Sequence, residues 1–213
     1  MMKHRGSSIQ CKDGAYYRKI TYQRWLSYYW QMQLVSSCNP EKVLEIGIGD
    51  GIASAIEKKL GHEVITCDIL TTLTPDVTAD IRHLPFRDTS FDLVACFQVL
   101  EHLDYRYFYP CLCSLYKISR KHVALSLPQR RKYLHVSLHS PWMRQGESHH
   151  AFRDFPRYQG YEKPSGRSHR WEIDIKEYPL KKIIHDIEKA KFKIIVDTSI
   201  PENVYHRFFL LEK

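Results

Sequence analysis

No stretch of this 213-residue sequence has the length and apolarity of a membrane span. The positively charged opening, Met1 to Ser8, is followed by no apolar run, so it is not expected to be a secretory signal. Paired C-x-x-C spacing is absent. The six cysteines (Cys11, Cys38, Cys67, Cys96, Cys111 and Cys113) therefore give no metal clip and no disulfide framework. Cys67 and Cys96 lie inside apolar runs, where a reduced thiol behaves as a small hydrophobe, and Cys111-x-Cys113 reads as helix packing. This usage points to a cytoplasmic protein. There is also no dense Lys/Arg block. The formal charge of +8 is spread along the chain, so an anionic partner is allowed but not demanded. Repeats and low-complexity tracts are missing. At 43% hydrophobic and 26% charged residues, the chain has ordinary globular usage and the length of one domain, 1–213.

What is present alternates. Residues 18–35 place Tyr22, Trp25, Leu26, Tyr29 and Met32 at three- and four-residue spacings, which predicts an amphipathic helix ended by Asn39-Pro40. Lys42–Ile46 reads as a strand, followed by Gly47-Ile48-Gly49-Asp50-Gly51 and a helix stripe of Ile52, Ala55, Ile56 and Leu60. Further strands are expected at 62–67, 77–79, 91–97 and 122–127, and a helix over 105–119. After Pro128 the pattern breaks. Residues 128–177, rich in His, Arg, Pro, Gly and aromatics, read as an irregular lid over the sheet edge, its histidines solvated. A helix near 180–190 and two closing strands, 193–196 and 204–211, end the chain as an antiparallel hairpin, with Phe208 and Phe209 in the core. The fold class is α/β: a Rossmann-like, seven-stranded, mostly parallel sheet with helices on both faces and an antiparallel terminal hairpin.

The glycines after the first strand allow a tight turn and close backbone approach to a ligand. Such a turn at the carboxyl end of a strand is where open α/β sheets bind nucleotides. Ile52 stands where a dinucleotide fingerprint needs its third glycine, so the pattern favours a different ligand. Asp68, ending the second strand, is placed to accept from both ribose hydroxyls of an adenosine.

The stretch Val43 to Gly51 resembles the first motif of class I S-adenosylmethionine-dependent methyltransferases, and Asp80 to Val94 is similar to their adenine-binding and central-strand region. Val99-Leu100-Glu101-His102-Leu103 resembles the segment that closes their active site. Within the family the chain is similar to small, microbial, type 11-like members, a likeness that extends to His169-Arg170-Trp171-Glu172 and the tail from His206.

The resemblance implies S-adenosylmethionine as cofactor. It places Glu45, Gly47 and Gly49 by the methionine part, Asp68 and Ile69 at the ribose and adenine, and Asp80 and Ile81 at the adenine. It puts Phe97 and Gln98 where sulfonium and substrate meet. Catalysis is assigned to His102 and Glu101. If the acceptor is a hydroxyl, neutral His102 is the base tuned nearest to pH 7, with Glu101 orienting it. Gln98-Val99-Leu100-Glu101-His102 also partly resembles a Glu-x-x-Glu-His arrangement of some metal-assisted O-methyltransferases. Gln98 replaces its first carboxylate, and no metal is assigned. Were the pair to bind one, a histidine of the insert (His149, His150 or His169) would have to join it. The expected activity is methyl transfer to oxygen or nitrogen of a small molecule. RNA methylation and a cofactor-binding module without catalysis are the alternatives.

Overall fold

The computed structural model describes residues 21–131, 133–138, 149–154, 161–166, 168–200 and 202–213. Helix α1 (Tyr22–Ser37) is capped by Thr21, whose side chain accepts from the Arg24 amide. It leads into strand β1 (Lys42–Ile46), helix α2 (Ile52–Lys59), strand β2 (Glu63–Asp68) and the two-residue strand β3 (Val77–Thr78). Strand β4 (Phe91–Phe97), helix α3 (Phe108–Ile118) and strand β5 (Ser119–Pro128) follow. A separate hairpin, β6 (Tyr133–Leu138) with β7 (His149–Asp154), precedes helix α4 (Leu180–Lys189) and strands β8 (Lys193–Ile200) and β9 (Asn203–Glu212).

The seven strands of the main sheet run in the order β3-β2-β1-β4-β5-β9-β8. All neighbours are parallel except β5–β9 and β9–β8. Chain direction through the sheet reverses between β1 and β4, and their carboxyl ends form the crevice where open α/β sheets take ligands. Alternation along β1 sorts its side chains: Leu44 and Ile46 face α3 and α4, while Val43 faces α1. In β4 the register shifts between Phe91 and Leu93, and these two residues, although two apart, belong to opposite layers. Helices therefore cover both faces, as the sequence predicts. Among the described residues no helix is long and apolar enough to cross a membrane.

Residues 128–177 differ from the irregular segment expected there. Two stretches pair as the β6–β7 hairpin, and the return segment belongs to the core. Trp171 is 0% exposed and packs edge-on against Tyr105 and Phe108. Ile173 bridges Gln129 in parallel pairing, and Tyr161 pairs with Ile175. The cause is hydrophobic: Trp171, Ile173 and Ile175 alternate at strand spacing and are all buried, and Trp171 and Ile173 join the layer beneath α3 and α4.

Candidate active site

Strand β1 delivers its chain into the glycine turn at the crevice. Gly47 has φ +82°, and a Cβ there would meet Val99 Cγ2 at 2.2 Å. Only glycine lets the turn after β1 and the segment after β4 pack this closely. Gly51, at φ +74°, starts α2 in the left-handed region. Asp68 fastens the turn. Its Oδ2 accepts from the Ile48 amide at 3.0 Å and its Oδ1 from the Leu70 amide at 2.8 Å. A carboxylate has about four lone-pair directions, so two remain for other donors, which fits a pair of ribose hydroxyls. Ile69, next to it, is half exposed and free to lie against a ring. From α1, the Tyr28 hydroxyl donates to Asp50 Oδ2, and Asp50 Oδ1 accepts from the Ile52 amide at 3.2 Å. The leading helix thus closes over the turn, a contact that the aromatic stripe hints at but does not specify.

The remaining residues that the sequence assigns to the cofactor divide. Asp80 is clasped by Arg82, whose Nε lies 3.0 Å from both carboxylate oxygens, and these hydrogen bonds hold the carboxyl below its ordinary range. An adenine amino group would share that carboxylate with Arg82. Ile81 is buried in the layer beside α3. Phe97 and Glu45 line a small cavity under α1 and α2 with Gln31, Met32 and Glu57. Glu45 Oε2 has no hydrogen-bond partner, and burial pushes its carboxyl up to about 8, against a hydrogen bond from Ser54. Gln98 holds φ +55°, a strained backbone for a residue other than glycine, at the point where β4 ends. Its amide nitrogen bonds the Ser126 carbonyl at 3.0 Å, and its side chain donates to Ser126 Oγ at 3.1 Å.

A short 3-10 turn (Leu100–His102), which the sequence assigns to catalysis, follows β4. Glu101 is 0% exposed, neither carboxylate oxygen has a hydrogen-bond partner, and burial pushes its carboxyl up to about 8. His102 Nε2 lies 3.9 Å from Glu101 Oε1. Its Nδ1 faces the Ser168 carbonyl at 3.4 Å and the Ser168 hydroxyl at 3.3 Å. Burial, with His169 nearby, lowers His102 to about 4, so it is neutral at pH 7 and less basic than an ordinary imidazole. That corrects the expectation of a base tuned to neutrality: the sequence shows the imidazole but not its desolvation.

The return segment brings a residue that the sequence gave only as one of three. His169 lies beside His102, ring centroids 5.0 Å apart, and its side chain is 9% exposed rather than solvated. The Arg170 amide donates to the Glu101 carbonyl at 2.7 Å and ties the two segments together. His169 Nδ1 bonds Glu172 Oε1 at 2.8 Å. That fully buried carboxylate also accepts from the Ser165 and Gly166 amides, each at 2.9 Å, and from the Tyr205 hydroxyl at 2.8 Å. Burial alone would raise Glu172, but these bonds outweigh it and hold the group at about 2. Glu172 and Tyr205 were not anticipated as site residues. The side chains of His135, His139, His149 and His150 lie outside the described residues.

Residues 44–125 match the family model described as a methyltransferase domain. Over 29 residues the chain is 59% identical to an uncharacterized protein of Methanocaldococcus jannaschii, a stretch that spans 14% of this chain and only 13% of that protein. The fold is similar to magnesium protoporphyrin IX methyltransferase from Synechocystis solved with S-adenosylhomocysteine, at TM-score 0.58 and 14% identity, covering 92% of this chain and 89% of that one. A 1,6-didemethyltoxoflavin-N1-methyltransferase from Burkholderia thailandensis, with its substrate and S-adenosylhomocysteine bound, aligns at TM-score 0.57 and 12% identity over 98% and 93% of the two chains. An S-adenosylmethionine-dependent methyltransferase from Clostridium acetobutylicum aligns at TM-score 0.59 and 10% identity over 94% and 95%. The glycine turn and Asp68 thus lie within residues that match a methyltransferase domain, in a fold shared with S-adenosylmethionine-dependent methyltransferases.

Proposed function

We propose that this enzyme methylates an oxygen or nitrogen of a small-molecule acceptor, and that Glu101 and His102 work on the acceptor side. The observation that carries this reading is their position. They follow Val99, which touches Gly47, so the acceptor-side turn and the cofactor turn meet at the β1–β4 crevice. The bound donor supplies an electrophilic methyl group on a sulfonium. The chain's task is to hold a nucleophile in line with it. Asp68 and the glycine turn hold the donor's adenosine. Neutral His102 accepts a hydrogen bond from the acceptor and orients it, and Glu101 lies beside the accepting Nε2. The Synechocystis and Burkholderia neighbours are named for small-molecule acceptors, which supports that class. The unpaired state of Cys38, Cys67, Cys96, Cys111 and Cys113 supports a cytoplasmic setting.

Calorimetry should show S-adenosylhomocysteine binding and no binding of NAD. Asp68→Ala should weaken the former by roughly 1.5–3 kcal/mol, the range for hydrogen bonds to a charged group. A metabolite screen with labelled donor identifies the acceptor. With that acceptor, His102→Ala should lower kcat at least about 10-fold, an effect of about 1.4 kcal/mol on the barrier, while S-adenosylhomocysteine affinity holds. Normal turnover in the variant would return His102 to a structural role.

A further inference from the structure

We propose that Glu101, His102 and His169 form a binding site for a first-row divalent cation whose open position takes an acceptor hydroxyl. The proposal deepens the reading above by selecting oxygen as the acceptor atom, and it rests on that reading only for this last step.

One potential ligand atom from each of the three side chains lies within 4.8 Å of the other two. Ligands around a single ion at about 2 Å sit roughly 3.3 Å apart, so an ion would draw the three together by about an ångström. Three features set this cluster apart from a chance gathering of polar groups. First, Glu101 is fully buried with both oxygens unpartnered. A buried carboxylate left without donors is costly, and a cation is a partner that removes the cost. Second, each imidazole has its Nδ1 against an oxygen acceptor: the Ser168 carbonyl for His102, and Glu172 for His169. With the proton on Nδ1, the lone pair lies on Nε2, and carboxylate–imidazole pairs of the His169–Glu172 kind are the usual outer support of metal-bound histidine. Third, the segments are locked in place by the Arg170–Glu101 backbone bond and by the five donors on Glu172: the Ser165 amide and hydroxyl, the Gly166 amide, His169 and the Tyr205 hydroxyl.

Gln98 takes no part, since its amide donates to Ser126. The donor set is one carboxylate oxygen and two imidazole nitrogens. It suits zinc, manganese, iron or cobalt in the divalent state better than magnesium or calcium, which prefer all-oxygen shells. Three protein ligands leave at least one position open, as in catalytic rather than structural sites. A hydroxyl bound there becomes more acidic. Its O–H bond breaks heterolytically, the proton passes to solvent, and the electron pair stays on oxygen as the nucleophile. No general base is then required.

The test uses the full chain, freed of metal by chelator and titrated with Zn2+ in competition with a chromophoric chelator, and in parallel with Co2+ followed by its visible absorption. One equivalent should bind, with the cobalt bands of a low-coordinate nitrogen–oxygen site. His169→Asn and Glu101→Gln should each weaken Zn2+ binding by more than Glu172→Gln, for which loss of the outer support predicts roughly 10–100-fold. S-adenosylhomocysteine binding by every variant reports that the fold is intact. A wild-type chain that binds no Zn2+ overturns the site. So does stoichiometric binding that His169→Asn and Glu101→Gln leave unchanged, because the ion is then elsewhere. Methyl transfer by metal-free protein would retire the cation and leave the proposed function standing. Zinc binding lost in both variants, with no methyl transfer to any acceptor, would keep the site and retire the proposed function.

Discussion

Glu45 shows how a single side chain can make the molecule sensitive to pH. Buried under α1 and α2 with one oxygen unpartnered, it has its carboxyl raised to about 8, against an ordinary value near 4.5. Nearby Glu57 is raised to about 7, also by burial. Between the unfolded and folded values the native state holds more protons than the unfolded chain, so stability is full below about pH 4.5 and is lost as pH rises toward 8. Urea unfolding of the cofactor-free protein should therefore show a lower midpoint at pH 9 than at pH 6. Glu45→Gln should reduce that difference and exceed wild type at pH 9 by about 1–3 kcal/mol, the cost of an unsatisfied buried group. An unchanged pH profile would mean that the carboxylate is solvated after all. At this scale the sequence was legible wherever the relevant contact is local: Gly47, Gly51 and Asp68 lie in or beside one strand–turn–helix. It was not legible for His169, because two of its partners, His102 and Tyr205, arrive from distant segments and only Glu172 is near in the chain.

Elements were legible where a periodic pattern ran long enough. Strands β1, β2, β4 and β5, the helices and the antiparallel end pair were all predicted, with boundaries shifted by a few residues. The return segment after the hairpin was missed because Trp171, Ile173 and Ile175 make only a brief alternation inside a stretch dominated by His, Arg and Gly. That alternation was the available signal. Its consequence is energetic: Trp171 joins Tyr105 and Phe108 in one aromatic group, and the same segment carries His169 and Glu172. Trp171→Ala should cost about 3–5 kcal/mol in chemical unfolding, the range for large aromatic truncations in a core. Because the Arg170–Glu101 backbone bond is adjacent, the loss should also loosen the acceptor side. A cost below about 1 kcal/mol would show that the segment is only laid over the surface, as a lid would be.

Across the whole molecule, 32 basic residues against 24 acidic ones leave a charge of +8, which by itself allows RNA as the acceptor. Three features weigh against it. Many basic groups are already paired at the surface, as in Lys42–Glu63, Arg120–Asp92, Arg207–Asp197 and Lys193–Glu212. Acids interrupt the basic residues of the insert, so no continuous phosphate-tracking stripe is seen in the sequence. The groups proposed to face the acceptor are also recessed, with Glu101 fully buried and His169 nearly so, which favours a small or slender acceptor over a bulky folded one. Single-stranded RNA that engages Z phosphates loses affinity with a salt slope of about −0.7Z. If the acceptor is a small molecule, an RNA strand should bind weakly, with a slope no steeper than about −1.5, the mark of about two phosphate contacts. Binding of an RNA oligomer measured across a range of salt concentrations tests this. A slope of about −4 or steeper, the mark of about six phosphate contacts, would make RNA the acceptor and the small-molecule reading wrong.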